Sequence, residues 1–330
     1  MNSNTMKWLL RREFWENKGS MFWAPLIVGA LLVLLVGGTI AYGIAAHGVP
    51  MRITVNGQTM THGGLSAALS VDTRATVAKL ATGMYLMTAS PLFFMLIFAV
   101  FFYCLNALYD ERRDRSILFW KSLPVSDGMT VLSKVATAVL VAPLITMALA
   151  TVASLALLFI ACAAFSLQGV NMFGSVLASP DLYLSPLRML ALLPVYVVWA
   201  LPTVGWLLLV SSWARTKPFM WAVGVPVISL LILKWIDAAL DKISGSPLAI
   251  MPYAQEIAAR ILGGIVPGIW FSFKEGIPPG LRPTEHGIDG GSLVTGSYAT
   301  LAGMDAWIGA LMGALMVYGA IRLRRWRDEG

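Results

Sequence analysis

From Gly19 to Met51 the chain carries no Asp, Glu, Lys or Arg, and comparable uncharged runs recur along its length. A helix crossing a hydrocarbon core of roughly 30 Å needs about 17–25 apolar residues. With no water there to satisfy backbone groups, a run of that length must pair them internally as helix. Six spans follow, at 22–46, 83–109, 131–164, 188–213, 217–236 and 300–321. With 58% hydrophobic and 12% charged residues and a mean hydropathy of +0.74, the 330-residue chain reads as a single transmembrane domain, 1–330. No polar stretch is long enough for a separate soluble domain. The fold expected is an all-α polytopic membrane protein.

The first run is too long for the roughly 7–15-residue core of a signal peptide, so it reads as a retained span. The fifth span crosses only if Lys217 and Lys234 reach the interfaces at its ends. The sixth needs Asp305 at the surface.

Most of the 24 lysines and arginines fall in four clusters: Lys7–Lys18, Arg112–Lys134, Arg215–Lys217 and Arg322–Arg327. With six spans these clusters share one side, which the positive-inside rule makes cytoplasmic. Both termini are then expected in the cytoplasm. The net charge of +7 is thus assigned to topology, not to nucleic acid. Cys104 and Cys162 lie in apolar runs and read as small buried hydrophobes.

Between the spans, residues 6–18 mix Trp8, Leu9, Phe14 and Trp15 with charges, as a helix lying in the headgroup plane would. Asn56-Gly57, flanked by Ile53, Val55 and Thr59, signals a hairpin in the loop at 47–82. The loop at 165–187 reads as short and irregular. In the outside loop 237–299, Tyr253, Ile257 and Ile261 recur with helical spacing opposite Gln255 and Arg260, and Gly263 and Gly264 would end that helix. With the following "IVPGIWFSF" it forms a pair of helices expected at the outer leaflet before the last span. A Gly/Pro-rich loop, "KEGIPPGLRPTEHGIDGGS", comes next.

Catalytic and metal motifs are sparse. His47, His62 and His286 are not at metal-ligand spacing. HExxH, GxSxG and the P-loop pattern do not occur. Seventeen methionines, including Met84 and Met87 and Met60 near His62, are explained by adaptable packing. No charge lies near the middle of a span, which argues against an ion-coupled carrier. Prolines 91, 143, 194, 202 and 226 are tolerated kinks.

One short stretch stands apart. Every position from Asp110 to Arg115 is ionisable, directly after span two. "DERRDRSILFWKSL" can continue as a helix past the membrane surface, offering Ile117, Leu118 and Trp120 to a partner. Pro124 interrupts it, and Ser126 or Asp127 can cap the helix that becomes span three. A stiff, charged helix–break–helix element suits docking to a soluble protein.

The string Tyr109-Asp110-Glu111-Arg112-Arg113, followed by "LFWKSLPVSDGMTVLSK", resembles the cytoplasmic loop of the type-2 family of ABC exporter permeases. The likeness is specific over about 105–140 and loose elsewhere. Where Arg115 or its neighbour stands, the family often has glycine, and the outside loops here are longer. The resemblance implies a multi-pass permease of the bacterial inner membrane. It would form a dimer with a second copy or a sister permease and carry a cytoplasmic P-loop ATPase. Asp110, Glu111, Arg112, Arg113, Leu123, Pro124 and Ser126, in the loop 110–130 with its short coupling helix, would receive the ATPase's motion. Spans one, two and five would line the pathway. ATP and Mg would sit on the partner, with no cofactor on this chain and no ATPase site of its own. Two other readings remain open: a membrane-embedded enzyme acting on lipid or peptide, and an assembly factor.

Overall fold

A computed structural model of the chain describes residues 3–47, 53–55, 58–60, 71–116, 125–167, 170–244, 250–273 and 290–326. Leu123, Pro124, the Asn56-Gly57 turn, His62, His286 and the Gly/Pro-rich loop lie outside the described residues. Among those described, six helices are long and apolar enough to cross a membrane: Gly19–Gly43, Arg74–Arg113, Asp127–Leu167, Pro180–Trp213, Pro218–Ile243 and Met304–Trp326. The protein is therefore a mainly helical chain suited to multiple membrane passes.

The first helix, α1 (Ser3–Glu16), leads through a wide π-turn at Gly19–Trp23 into α2 (Ala24–His47). Two short strands, Ile53–Val55 and Gln58–Met60, pair antiparallel with Val55 opposite Gln58, as the hairpin signal requires. Next come α3 (Val71–Met84) and α4 (Ser90–Ala107), divided by a tighter 3₁₀ segment at Tyr85–Ala89. Pro91 sits in the first turn of α4, where its missing N–H costs nothing, so it starts a helix rather than kinking one.

The short α5 (Tyr109–Arg113) carries the charged stretch. The third span begins as α6 (Asp127–Ala136), widens into a π-turn at Thr137–Val141 and continues as α7 (Ala142–Leu167). Pro143 cannot donate to the carbonyl four residues back, and the wide turn lies directly before it. The loop read as irregular at 165–187 instead holds α8 (Phe173–Leu177) and α9 (Pro180–Ala191). Pro180 opens α9 and an Asp181–Arg188 ion pair at 2.8 Å spans two of its turns.

Helix α10 (Leu193–Trp213) starts at Pro194 and is the most enclosed of the spans. Helix α11 (Pro218–Ser244) extends past the expected 236 and is the least covered by the rest of the chain. Then follow α12 (Met251–Gly263), a 3₁₀ turn at Ile269–Phe273, α13 (Gly290–Ala299) and α14 (Met304–Trp326).

The core gathers on α10, with Val195, Val204, Leu207 and Leu208 fully buried against α4 and α14. Helices α10 and α14 cross with their backbones nearly touching. A Cβ added at Gly205 would overlap the Gly313 carbonyl, and one at Gly313 would overlap the Leu201 carbonyl. Small residues permit such close approach between helices in lipid.

Candidate functional site

Five ionisable side chains, from both ends of the chain and from the region between spans two and three, form a continuous line that is buried except at Asp127. Lys134 Nζ lies 3.0 Å from Glu13 Oε1 and 3.0 Å from Glu111 Oε1. Arg324 reaches Glu111 Oε2 at 2.9 Å and Asp127 Oδ1 at 3.1 Å. The Tyr103 hydroxyl donates to the other oxygen of Glu13 at 2.8 Å. Lys134, Arg324 and Glu13 are at most 3% exposed, so these charges are out of water. Desolvation at this depth is tolerable only because each cation faces two carboxylates.

Local sequence explains how each group arrives. On α1, Leu9 and Glu13 are one turn apart and both buried, while Trp8 and Trp15 face outward. On α6, Thr130, Val131 and Lys134 form one buried stripe against α1. The α6 N-terminus is capped by Ser126, whose Oγ accepts from the Met129 N–H at 3.3 Å. That leaves Asp127 for Arg324.

The ionisable run splits by direction. Glu111 turns inward to the ion line. Arg112 also turns inward, donating to the carbonyls of Ser211 (2.6 Å) and Ala214 (2.9 Å) at the last turn of α10. Ser211 Oγ accepts from the Leu108 and Tyr109 N–H groups, each at 3.0 Å, sealing the junction between α4 and α5. Arg113 turns outward with its side chain 63% exposed, near Asp110 (3.9 Å) and Asp114 (3.2 Å). Arg115 ends the element with φ of +54°, in the left-handed region that favours glycine.

So of the seven residues singled out from sequence, Glu111 and Arg112 face the protein interior, Asp110 and Arg113 face outward, and Ser126 is a helix cap. Leu123 and Pro124 lie outside the described residues. Glu13, Lys134 and Arg324 escaped sequence reasoning, which counted the last two as topology charges. No local signal marked them: Lys134 shares its buried face of α6 with Thr130, Val131 and Ser133.

At the opposite end of the bundle, Arg260 of α12 is buried. Its guanidinium carbon lies 4.6 Å from the Trp199 ring centre and 5.1 Å from that of Phe273. It pairs with Glu256 at 2.6 Å and donates to the Asp305 carbonyl. Tyr253 and Ile257 face outward and Arg260 inward, on opposite sides of α12 as the sequence pattern has them. The surroundings of these spans are apolar, so an outward apolar face carries no penalty. Gly264 does follow the end of the helix, but its φ is −58°. Glycine is needed because a Cβ would overlap the Trp199 carbonyl.

Comparison with family models, curated proteins and solved structures returns no match to this chain.

Proposed function

We propose that this chain is the membrane-spanning permease subunit of an ATP-driven exporter, coupling hydrolysis by a separate cytoplasmic ATPase to export. The observation that carries the reading is the division of labour in Asp110–Arg113. Asp110 and Arg113 present exposed charge to a partner, while Glu111 and Arg112 clamp the same turn to α6, α14 and α10. A displacement imposed on the outer pair is therefore passed to spans three, four and six through short ionic contacts. The resemblance of residues 105–140 to type-2 ABC permeases points the same way.

In this reading the ion line lies at the cytoplasmic face of the bacterial inner membrane, with both termini inside. Helix α1 lies in the headgroup plane with Trp8 and Trp15 toward lipid, and α12 sits in the outer leaflet on Tyr253 and Ile257. Helix α11, with Phe219, Met220 and Trp221 exposed, faces a second permease subunit across a shared pathway. ATP and Mg belong to the partner.

The test is co-purification. The tagged chain, expressed with its neighbouring genes, is expected to retain a P-loop ATPase, and Asp110→Ala with Arg113→Ala is expected to release it while the chain still inserts and folds. No bound ATPase, or one held equally by the double variant, would overturn the reading.

A further inference from the structure

A cavity of about 680 Å³ opens between α1 and the face of α4–α5, beside the ion line. That volume falls in the roughly 300–1,000 Å³ range of small-molecule sites. Its walls change character along one direction. Met95, Phe98 and Phe102 lie on one helical face, and the same face continues through Asn106 to Asp110. At 1.5 Å per residue, Phe98 and Asp110 are ~18 Å apart along the axis. The cavity therefore grades from exposed aromatic surface within the span to carboxylate at its end, as an amphiphile grades from chain to head. Phe98 and Phe102 are each nearly half exposed, so the apolar end is open to the hydrocarbon.

The sign of the head follows from how the lining charges are engaged. Lys134 is held between Glu13 and Glu111, and Arg12 pairs with Glu16 at 2.7 Å. Against these two cations the lining sets five carboxylates, those of Glu13, Glu16, Asp110, Glu111 and Asp114, so the cavity is net negative. Asp110, half exposed, has Arg113 at 3.9 Å, too far for a hydrogen bond. Glu111 is nine-tenths buried and already bridges Lys134 at 3.0 Å and Arg324 at 2.9 Å. Asp110 can therefore accept an N–H donor.

We infer that this cavity binds a membrane lipid with a primary-amine headgroup, the ammonium on the carboxylates near Asp110 and one acyl chain along Phe98 and Phe102. This inference shares Asp110 with the exporter reading but is tested on the chain alone, so the two can fail separately.

Two measurements on the purified chain in detergent test it. Mass spectrometry of co-purified lipid is expected to show amine-headed phospholipid enriched over its share of the source membrane. Thermal unfolding is expected to rise saturably with lysophosphatidylethanolamine, to rise less with lysophosphatidylglycerol of the same chain length, and to show competition from dodecylamine. Asp110→Asn is expected to weaken the amine lipid about tenfold, the loss of one charge-assisted contact. Asn106→Trp, a substitution at an exposed position that fills the cavity, is expected to abolish saturable binding. Equal stabilisation by the glycerol lipid, no enrichment, no competition by dodecylamine, or unchanged binding in both variants would each overturn the proposal.

Discussion

At one end of the bundle, Lys134 and Arg324 are neutralised by Glu13, Glu111 and Asp127, the five residues coming from four separate elements. At the other, Arg260 is held by a carboxylate one turn away on its own helix, two aromatic rings and a backbone carbonyl. Both ends bury cations, but the consequences differ. The first arrangement makes α1, α5, α6 and α14 mutually dependent, since no carboxylate there can move without exposing a cation to an apolar surrounding. The second mainly fixes α12 and the Phe273 turn against α10 and α14. A motion delivered to the first end is shared among helices, whereas one at the second end stays local.

If that contrast is right, the largest effect comes from Lys134→Met. It leaves Glu13 without a cation and Glu111 with Arg324 alone, and breaking a buried pair of this kind costs about 3–5 kcal/mol. Thermal unfolding in detergent should show it as a large loss of stability. Glu13→Gln combined with Lys134→Met should recover part of that loss, because the stranded charge is gone. A double variant no better than the single one would mean that Lys134 acts through packing alone.

Arg260→Lys sharpens the other side of the comparison. A lysine keeps the charge for Glu256 but loses the planar contact with Trp199 and Phe273 and the second donor direction toward Asp305. The expected cost is about 1–2 kcal/mol, mostly the aromatic contact of a partly desolvated cation. Added salt should change it little. An effect as large as that of Lys134→Met would show that the two ends are not different in kind.

The spans were legible because lipid imposes a length and a polarity that any reader of the sequence can count, and the Ser126 cap and the hairpin register followed from local chemistry. The ion line was not legible. Glu13 and Lys134 are far apart in the chain, and nothing local distinguishes a lysine that meets a buried carboxylate from one that meets lipid headgroups. The inward turn of Glu111 and Arg112 was hidden for a related reason: in a run where every residue is charged, composition gives no facing direction. The burial of Arg260 was not legible: the spacing set it opposite Tyr253 and Ile257, but apolar spacing marks the core in water and the outer surface in lipid. The regular helix within 165–187 was missed because its apolar pattern is interrupted by Pro180, Pro186 and polar residues.

The smallest effect concerns the turn that closes the charged element. Arg115 adopts φ of +54°, which costs an L-residue roughly 1–2 kcal/mol. Glycine at this place removes that strain. It also gives the unfolded chain more freedom, which offsets half of the gain, about 0.5–1 kcal/mol. Arg115→Gly is therefore expected to raise stability slightly, by no more than about 1 kcal/mol, and to leave the Glu111 and Arg112 contacts in place. Unfolding midpoints of this variant measured beside Arg115→Ala separate the causes: alanine keeps the strain while removing the charge. If the two variants behave alike, the turn is governed by charge crowding after Arg113 and Asp114, and the left-handed backbone at Arg115 carries no measurable strain.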